Sequence, residues 1–167
     1  MSTKSFTINL PIITGDQDRR RLRKSFSFGC NLQNAVMGGG WDRVLQMRAT
    51  AEWQATRAMP KGRERTKAFR DLRVRFRLSE YDFHADVAMH RKASGRGHLL
   101  GINECQKLAS RAWISVERHL YNGDAPRFIS SRRGLHSIEG KTNRTGIIWK
   151  ADQQCVTVCK RVYRVRV

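Results

Sequence analysis

Apolar and polar side chains alternate at the start of the chain, from Phe6 to Ile12. A two-residue period is typical of a half-buried strand, so the pattern predicts a strand here. Thr14 and Gly15 are expected to form a turn, and Asp16 to cap the helix that follows, with its carboxylate at the positive end of the helix.

Apolar residues then recur at helical spacing over most of the chain. The pattern predicts a first helix from Asp16 to about Met37, ended by Gly38 to Gly40. Three glycines inside a helix would cost about 3 kcal/mol relative to alanine. A second helix is predicted from Trp41 to Ala58 and a third from about Arg63 to Leu78.

Capping signals predict two further helices. Ser79 with Asp82 three residues later resembles a capping box and would open a fourth helix. Asn103 with Gln106 gives the same signal for a fifth helix, which is expected to stop at Asn122-Gly123.

After Pro126 the period changes from 3.6 to 2, which indicates strands. A lone first strand needs partners, and the other strands lie only at the carboxyl end. The sequence therefore predicts an α+β fold, a small β-barrel made from residues 1–14 and 124–167 and split by an inserted helical domain at residues 15–123. The predicted strands are Arg127–Ser130, Gly134–Ile138, Thr145–Trp149, Cys155–Cys159 and Val162–Val167.

Composition adds a strong charge imbalance. The 167 residues include 33 Lys+Arg against 14 Asp+Glu, a formal net charge of +19, and 24 of the basic residues are Arg. Arg binds phosphate in bidentate fashion and stacks on bases, and a polyanion relieves the self-repulsion of so basic a chain. Nucleic acid is therefore the expected partner. No apolar run approaches the roughly 18 residues of a membrane span, so we expect a cytoplasmic, nucleoid-associated protein with no membrane contact.

No group of residues has the spacing of a catalytic site. The carboxylates are sparse, and Gly38 to Gly40 lack the Lys-Ser/Thr pair of a phosphate-binding loop. Cys155 and Cys159 stand four residues apart, but no second Cys pair or His pair at zinc-binding spacing accompanies them. We therefore expect no enzymatic activity, no cofactor and no metal.

Basic residues form several clusters, and each is expected to contact phosphate. One cluster opens the first helix, one shares a face of the third helix, and others lie in the predicted strand region. The candidates are Arg19, Arg20, Arg21, Arg23 and Lys24; Lys61, Arg63, Lys67, Arg70, Arg73 and Arg77; and Arg127, Arg132, Arg133, Lys141 and Arg144, with a further group at Arg161, Arg164 and Arg166.

Several short motifs resemble a known family. A first strand precedes the basic stretch Leu22 to Asn31, and a long helix leads into Gly123 to Phe128 and then Ser130 to Gly134. This order, with Pro126-Arg127-Phe128 as its most specific part, is similar to the amino-terminal part of the transposon-encoded RNA-guided nuclease TnpB and of the related type V CRISPR effectors.

The resemblance implies a wedge domain, a barrel like an oligonucleotide-binding fold, interrupted by a helical recognition domain. It also implies binding of a guide RNA and an RNA–DNA heteroduplex, and reading of a target-adjacent motif, while base pairing supplies specificity. By position, Arg127, Arg132 and Arg133 would contact the RNA or heteroduplex backbone. The helix residues Gln106, Lys107 and Arg111 would contact the motif or the duplex.

The catalytic RuvC-like lobe of that family would begin soon after Val167 and is absent from these residues. The first hypothesis is therefore a non-catalytic, truncated or split lobe of a mobile-element, TnpB-like protein, with a separate RuvC-like half as a further partner. The alternative is a stand-alone structural RNA- or DNA-binding protein, associated with the ribosome or the nucleoid. An intact nuclease would need converging carboxylates.

Overall fold

The structure is a computed structural model that describes residues 9–121, 123–142 and 144–166. These residues form five helices and three short strands. The long helix α1 packs against α4 and α5, and α2 and α3 pack on each other next to α1. The elements are α1 (Asp16–Arg48), α2 (Ala51–Ala58), α3 (Arg63–Arg75), α4 (Glu80–Ala93), α5 (Ile102–Arg118), β1 (Ile148–Lys150), β2 (Cys155–Val158) and β3 (Arg161–Arg164).

The predicted barrel is wrong. Strands β1, β2 and β3 form an open antiparallel sheet in that order, with Lys150 opposite Cys155 and Val156 opposite Tyr163. No closed barrel occurs in the described residues, which are mostly helical. The oligonucleotide-binding-like barrel that the resemblance implied, split by a helical insertion, is therefore not the fold of this chain.

Two of the predicted strands, Arg127–Ser130 and Gly134–Ile138, are not strands. Side chains from the helices bind their backbone instead. The amide of Asn34 accepts from Ile129 N at 3.0 Å and donates to Ile129 O at 2.8 Å. Arg111 Nη1 donates to Ser137 O at 2.8 Å. The alternating apolar residues of this region therefore reflect packing on helices rather than pairing in a sheet.

The two ends of the described chain do meet. Ile12 and Val165 form an isolated antiparallel bridge, Ile13 N donates to Arg164 O at 2.8 Å, and Arg166 N donates to Pro11 O at 2.8 Å. Residues 6–8 of the predicted first strand lie outside the described residues, as do Asn122 at the predicted helix stop and Val167 at the predicted strand end. The domain boundaries at 14/15 and 123/124 stay predictions.

Helix α1 continues through Gly38, Gly39 and Gly40 to Arg48, so the predicted end at Met37 is wrong. A Cβ atom at Gly40 would lie 2.1 Å from the Phe83 ring of α4. The absent side chain lets α4 approach closely, and the ring of Phe83 is fully buried there. Burial of a phenylalanine contributes about 2–3 kcal/mol, which offsets much of the helix propensity lost at the glycines.

The other helix ends follow local capping in part. Thr50 accepts from Trp53 N and opens α2, which divides the predicted second helix. Ser79 accepts from Asp82 N at 3.3 Å, so the predicted start of α4 is confirmed.

Two predicted caps are wrong. Helix α5 begins at Ile102 after Gly101, so Asn103 already lies inside its first turn. Gly15 precedes α1, and Asp16 is the first helical residue.

One apolar core joins α1, α4 and α5, and the sheet adds Cys159 to it. None of the helices in the described ranges has an apolar stretch of the length that crosses a bilayer. The side chains that are fully buried and largest are Phe83, Met37, Met47, Leu78, Leu100, Leu108 and Leu120.

Candidate nucleic-acid interface

The first turns of α1 present a basic face to solvent. Gln17, Arg20 and Lys24 lie at steps of three and four, so they share one side of the helix. Ser25 is buried, and so is Phe28, which lies one turn beyond Lys24 on the same side of the helix. The exposed part of this side is therefore its first turns, where Arg20 and Lys24 face solvent.

The connection between α4 and α5 forms a second wall beside this face. Arg21 Nη2 donates to His98 O at 3.2 Å, and Ser25 Oγ donates to Leu99 O at 2.9 Å. From α4, Arg91 Nε donates to Leu100 O at 3.1 Å. These bonds satisfy backbone carbonyls that would otherwise be unpaired in a loop, and they hold Arg96 next to Arg23 and Lys24.

Strand β3 adds a cation at the start of the same face. Arg161 Nε lies 3.2 Å from Asp18 Oδ1, an ion pair that joins β3 to the first turn of α1. Arg161 lines a concavity of about 660 Å³ together with Arg20, Arg21 and Lys24. The sheet is thus part of the basic surface although it forms no barrel.

Successive concavities join into one groove along α1. Lys24, His98 and Leu99 belong both to the concavity with Arg161 and to the next one, which contains Arg96. Arg23 and Ser27 continue into a third. We call this surface the α1 groove: Gln17, Arg20, Arg21, Leu22, Arg23, Lys24, Phe26, Ser27, Cys30, Asn31, Arg96, His98, Leu99, Ser131, Gly134, Leu135 and Arg161.

The segment 127–137 forms the far wall of the groove. It runs antiparallel to α1, because Phe128 lies against Gly38, Ile129 is bound by Asn34, and Leu135 lies against Gly29. The segment carries Arg127, Arg132 and Arg133, all of which are exposed. The structure therefore places the predicted basic clusters 19–24 and 127–133 at successive stretches of the same helix, α1.

Acidic neighbours neutralise only part of this charge. Asp16 pairs with Arg19, and Asp18 pairs with Arg161. Among the described residues, no acidic side chain makes an ion pair with the other exposed cations of the groove. Those cations are Arg20, Arg23, Lys24 and Arg96, and the exposed Arg132 and Arg133 of the neighbouring segment also have no ion pair there.

The predicted basic face of α3 is divided in the structure. Arg63, Lys67 and Arg70 line a shallow depression of about 420 Å³, and exposed Lys61 precedes it. Arg73 instead lies over the Trp113 ring and pairs with Glu117 at 3.3 Å.

Arg77 is also turned toward the protein. It pairs with Asp82 at 3.5 Å and with Asp86 at 3.4 Å. Arg77 has a positive φ of 53°, because it lies in the turn between α3 and α4. Arg73 and Arg77 therefore hold the fold together and do not share the open surface of Arg63, Lys67 and Arg70.

The α5 candidates are engaged with the segment that follows. Arg111 pairs with Glu139, and the guanidinium holds the pKa of that carboxyl below its usual range. Gln106 Oε1 accepts from Lys141 Nζ at 3.5 Å, and Lys107 is half-buried. Arg144 is exposed near the sheet. The cations of this group are not part of the α1 groove.

All four cysteines are free and buried, and burial raises the pKa of Cys105 and of Cys159 to about 11, so both thiols are protonated at neutral pH. No three His, Cys, Asp or Glu side chains in the described ranges come close enough to hold a metal ion.

Sequence reasoning missed two groove-related residues, Arg96 and Gln33. The one available signal for Arg96 is its position between Gly95 and Gly97 in a predicted loop. Gln33 gives no signal, because it is one polar residue on an otherwise apolar helix face. Comparison of the chain with protein-family models, curated proteins and solved structures finds no match.

Proposed function

We propose that the protein binds the phosphate backbone of nucleic acid in the α1 groove. The observation that carries the proposal is the groove itself, a continuous surface on which Arg20, Arg23, Lys24 and Arg96 have no acidic partner among the described residues. From Gln17 to Asn31 it follows α1 for about 21 Å at 1.5 Å per residue. That length matches about six phosphates of one strand of a duplex.

The resemblance to TnpB narrows the ligand to structured RNA or an RNA–DNA heteroduplex, with base pairing rather than protein contacts supplying sequence specificity. Binding without cleavage fits the groove, because its nearby carboxylates, Asp16 and Asp18, are each held by an arginine. On this proposal the protein co-localises with the nucleoid, and any cleavage belongs to a separate RuvC-like partner.

The second candidate is a stand-alone structural RNA- or DNA-binding protein. The open three-stranded sheet favours it, because the split barrel that a TnpB-like lobe would bring is missing from the described chain. The two candidates share the groove and differ in ligand. Sequencing the RNA that copurifies with the protein separates them: one recurrent folded RNA supports the first, and bulk ribosomal RNA or duplex DNA supports the second.

The groove is tested by anisotropy with a labelled 16-base-pair RNA duplex between 50 and 200 mM KCl. With about six phosphate contacts, affinity should fall about 10³-fold over this range. The double variant Arg20→Gln/Lys24→Gln should lower the logarithmic salt slope by about 2 and the affinity at 100 mM by about 50-fold.

The matched control is Arg57→Gln/Lys150→Gln, which removes the same charge from exposed positions of α2 and β1. It should lower affinity less than about threefold, because exposed charges farther than a Debye length of about 10 Å are screened. Equal losses in the two double variants would show that net charge, and not the groove, holds the duplex. No binding at 50 mM KCl would rule out the proposed function.

A further inference from the structure

A pocket of about 590 Å³ adjoins the far end of the α1 groove, and the two share Gly134 and Leu135. Its walls are the segment 128–137 on one side and Gln33 of α1 with Arg111 of α5 on the other. Pockets of 300–1,000 Å³ are the size that encloses a small ligand. A strand that follows the groove would reach the mouth of this pocket. We call it the Gln33 pocket.

Gln33 gives the pocket an unsatisfied polar group. Its residue surface is only 9% exposed, and its Oε1 atom is buried with no hydrogen-bond partner in the described structure. A buried acceptor of this kind costs free energy unless a donor reaches it. Gln33 lines the pocket, so a rotation of its side-chain amide would bring Oε1 within reach of a ligand N–H.

Phe128 gives the pocket an aromatic wall. Its side chain is 50% exposed, and the backbone of the next residue is fixed by both hydrogen bonds from Asn34. The ring lies beside Gly38, where a Cβ atom would be 3.7 Å from it, an ordinary packing distance. A half-exposed ring held in place in this way is a stacking platform for a planar ligand.

The charges of the pocket are arranged for a neutral group inside and an anion outside. Arg111 is paired with Glu139 and also donates to Ser137, so the inner cation is already neutralised. Arg133, in contrast, is exposed and has no ion pair in the described part of the chain. A phosphate is therefore favoured at Arg133, whereas the interior favours an uncharged ring with N–H groups.

We propose that the Gln33 pocket takes one unpaired nucleobase of a strand whose phosphates lie in the α1 groove. The base stacks on Phe128 and donates an N–H to Gln33 Oε1, and its flanking phosphate lies at Arg133. This inference rests on the proposed function, and it adds that the preferred ligand is a duplex with an unpaired nucleotide.

The test compares three labelled RNAs: a fully paired 16-base-pair duplex, the same duplex with one bulged adenosine, and the same duplex with an abasic bulge. The wild-type chain should bind the adenosine bulge about tenfold more tightly than either of the others, since a stacked base contributes within this range. Equal affinity for the adenosine and abasic bulges would overturn the pocket while leaving the groove intact.

Two variants assign the preference to residues. Phe128→Ala should abolish the tenfold preference without changing affinity for the paired duplex, and Phe128→Tyr should keep it. Gln33→Leu, which keeps the side-chain size, should reduce the preference about fivefold. Circular dichroism checks that each variant is folded. Phe128 is half-exposed, so its variants should fold and test the proposal even if Gln33→Leu does not fold. Equal losses on all three RNAs in the Phe128→Ala variant would overturn the proposal. Failure of the wild-type chain to bind any of the three RNAs would instead refute the proposed function.

Discussion

Helices α1 and α3 both carry basic side chains at steps of three and four, yet they hold these side chains in different surroundings. On α1, Arg20 and Lys24 face a groove whose other walls come from the α4–α5 connection, β3 and the segment 127–137. On α3 and in the turn after it, acids from neighbouring helices reach several of the cations: Arg73 meets Glu117, Arg75 meets Glu52, and Arg77 of the turn meets Asp82 and Asp86.

The difference shows that spacing determines which residues share a helix face, whereas the neighbours determine what that face does. The cations of α3 that meet acids tie α3 to α2, α4 and α5. The acids near the α1 groove pair with Arg19 and Arg161, which lie at its start, and leave Arg20, Arg23 and Lys24 available to a ligand.

In the structure α1 is one helix that packs against α4 at Gly40, and a substitution there has the largest expected effect on stability. Gly40→Ala should lower the free energy of unfolding by about 2–3 kcal/mol, because the new Cβ would overlap the buried Phe83 ring. Gly39→Ala is the matched control, since nothing lies within 4 Å of its Cβ position. It should raise stability by up to about 1 kcal/mol.

Urea unfolding of both variants gives the result. If Gly40→Ala were as harmless as Gly39→Ala, α4 would not pack on α1 at this point.

Asp86 tests whether Arg77, in the turn after α3, is structural. The Asp86 side chain is 8% exposed, and Arg43 Nη2 lies 2.7 Å from Oδ2 while Arg77 Nη2 lies 3.4 Å from Oδ1. Asp86→Asn should lower the free energy of unfolding by about 2 kcal/mol, because Arg43 loses its counter-ion and Arg77 keeps only Asp82. Affinity for the RNA duplex should stay within about twofold of wild type.

The matched control is Asp71→Asn. Asp71 and Arg70 are both exposed, and their atoms are 3.7 Å apart, so the loss should be below about 0.5 kcal/mol. A strong change in RNA affinity in Asp86→Asn with unchanged stability would contradict the structural role of Arg77.

The open part of α3 gives the smallest expected effect. The triple variant Arg63→Gln/Lys67→Gln/Arg70→Gln should lower duplex affinity at 100 mM KCl less than about tenfold, although it removes one more charge than Arg20→Gln/Lys24→Gln. The reason is that a surface outside the contact acts only through screened, long-range attraction. The same anisotropy titration measures the affinity of both variants for the duplex. A larger loss of affinity in the triple variant than in Arg20→Gln/Lys24→Gln would place the ligand on α3 rather than in the α1 groove.

Much of the helical part of the fold could be predicted from the sequence, because its signals are local. Ser79 opens α4 as its capping pattern predicts, β2 falls within a predicted strand, and β3 overlaps another. The continuation of α1 could not be predicted, since it depends on Phe83, far along the chain from Gly40. The barrel prediction is wrong for a similar reason, a contact between residues that are distant in sequence. Asn34 hydrogen-bonds the backbone of Ile129, 95 residues later, so that Ile129 does not pair in a sheet.

The candidate site also combines residues that local sequence patterns reveal with residues that only the three-dimensional fold brings together. Arg20 and Lys24 could be found from charge and helical spacing alone. Arg96 is brought to the groove by the bonds of Arg21 and Ser25 to the α4–α5 connection, more than 70 residues away in the chain. Gln33 is distinguished only by its unpaired oxygen, and hydrogen-bond satisfaction is a property of three-dimensional packing that no sequence pattern expresses.

The two hydrogen bonds from Asn34 to Ile129 also have a consequence for chain entropy. The described residues between α5 and β1 form no helix or strand, so one side chain of α1 pins a long connection in the half nearer α5. A pinned loop behaves as two shorter loops, each with fewer conformations to lose when a ligand orders it. Phe128 and Arg133 lie on either side of Ile129 and share this one anchor. The anchor therefore lowers the conformational entropy that both residues would lose when a ligand binds.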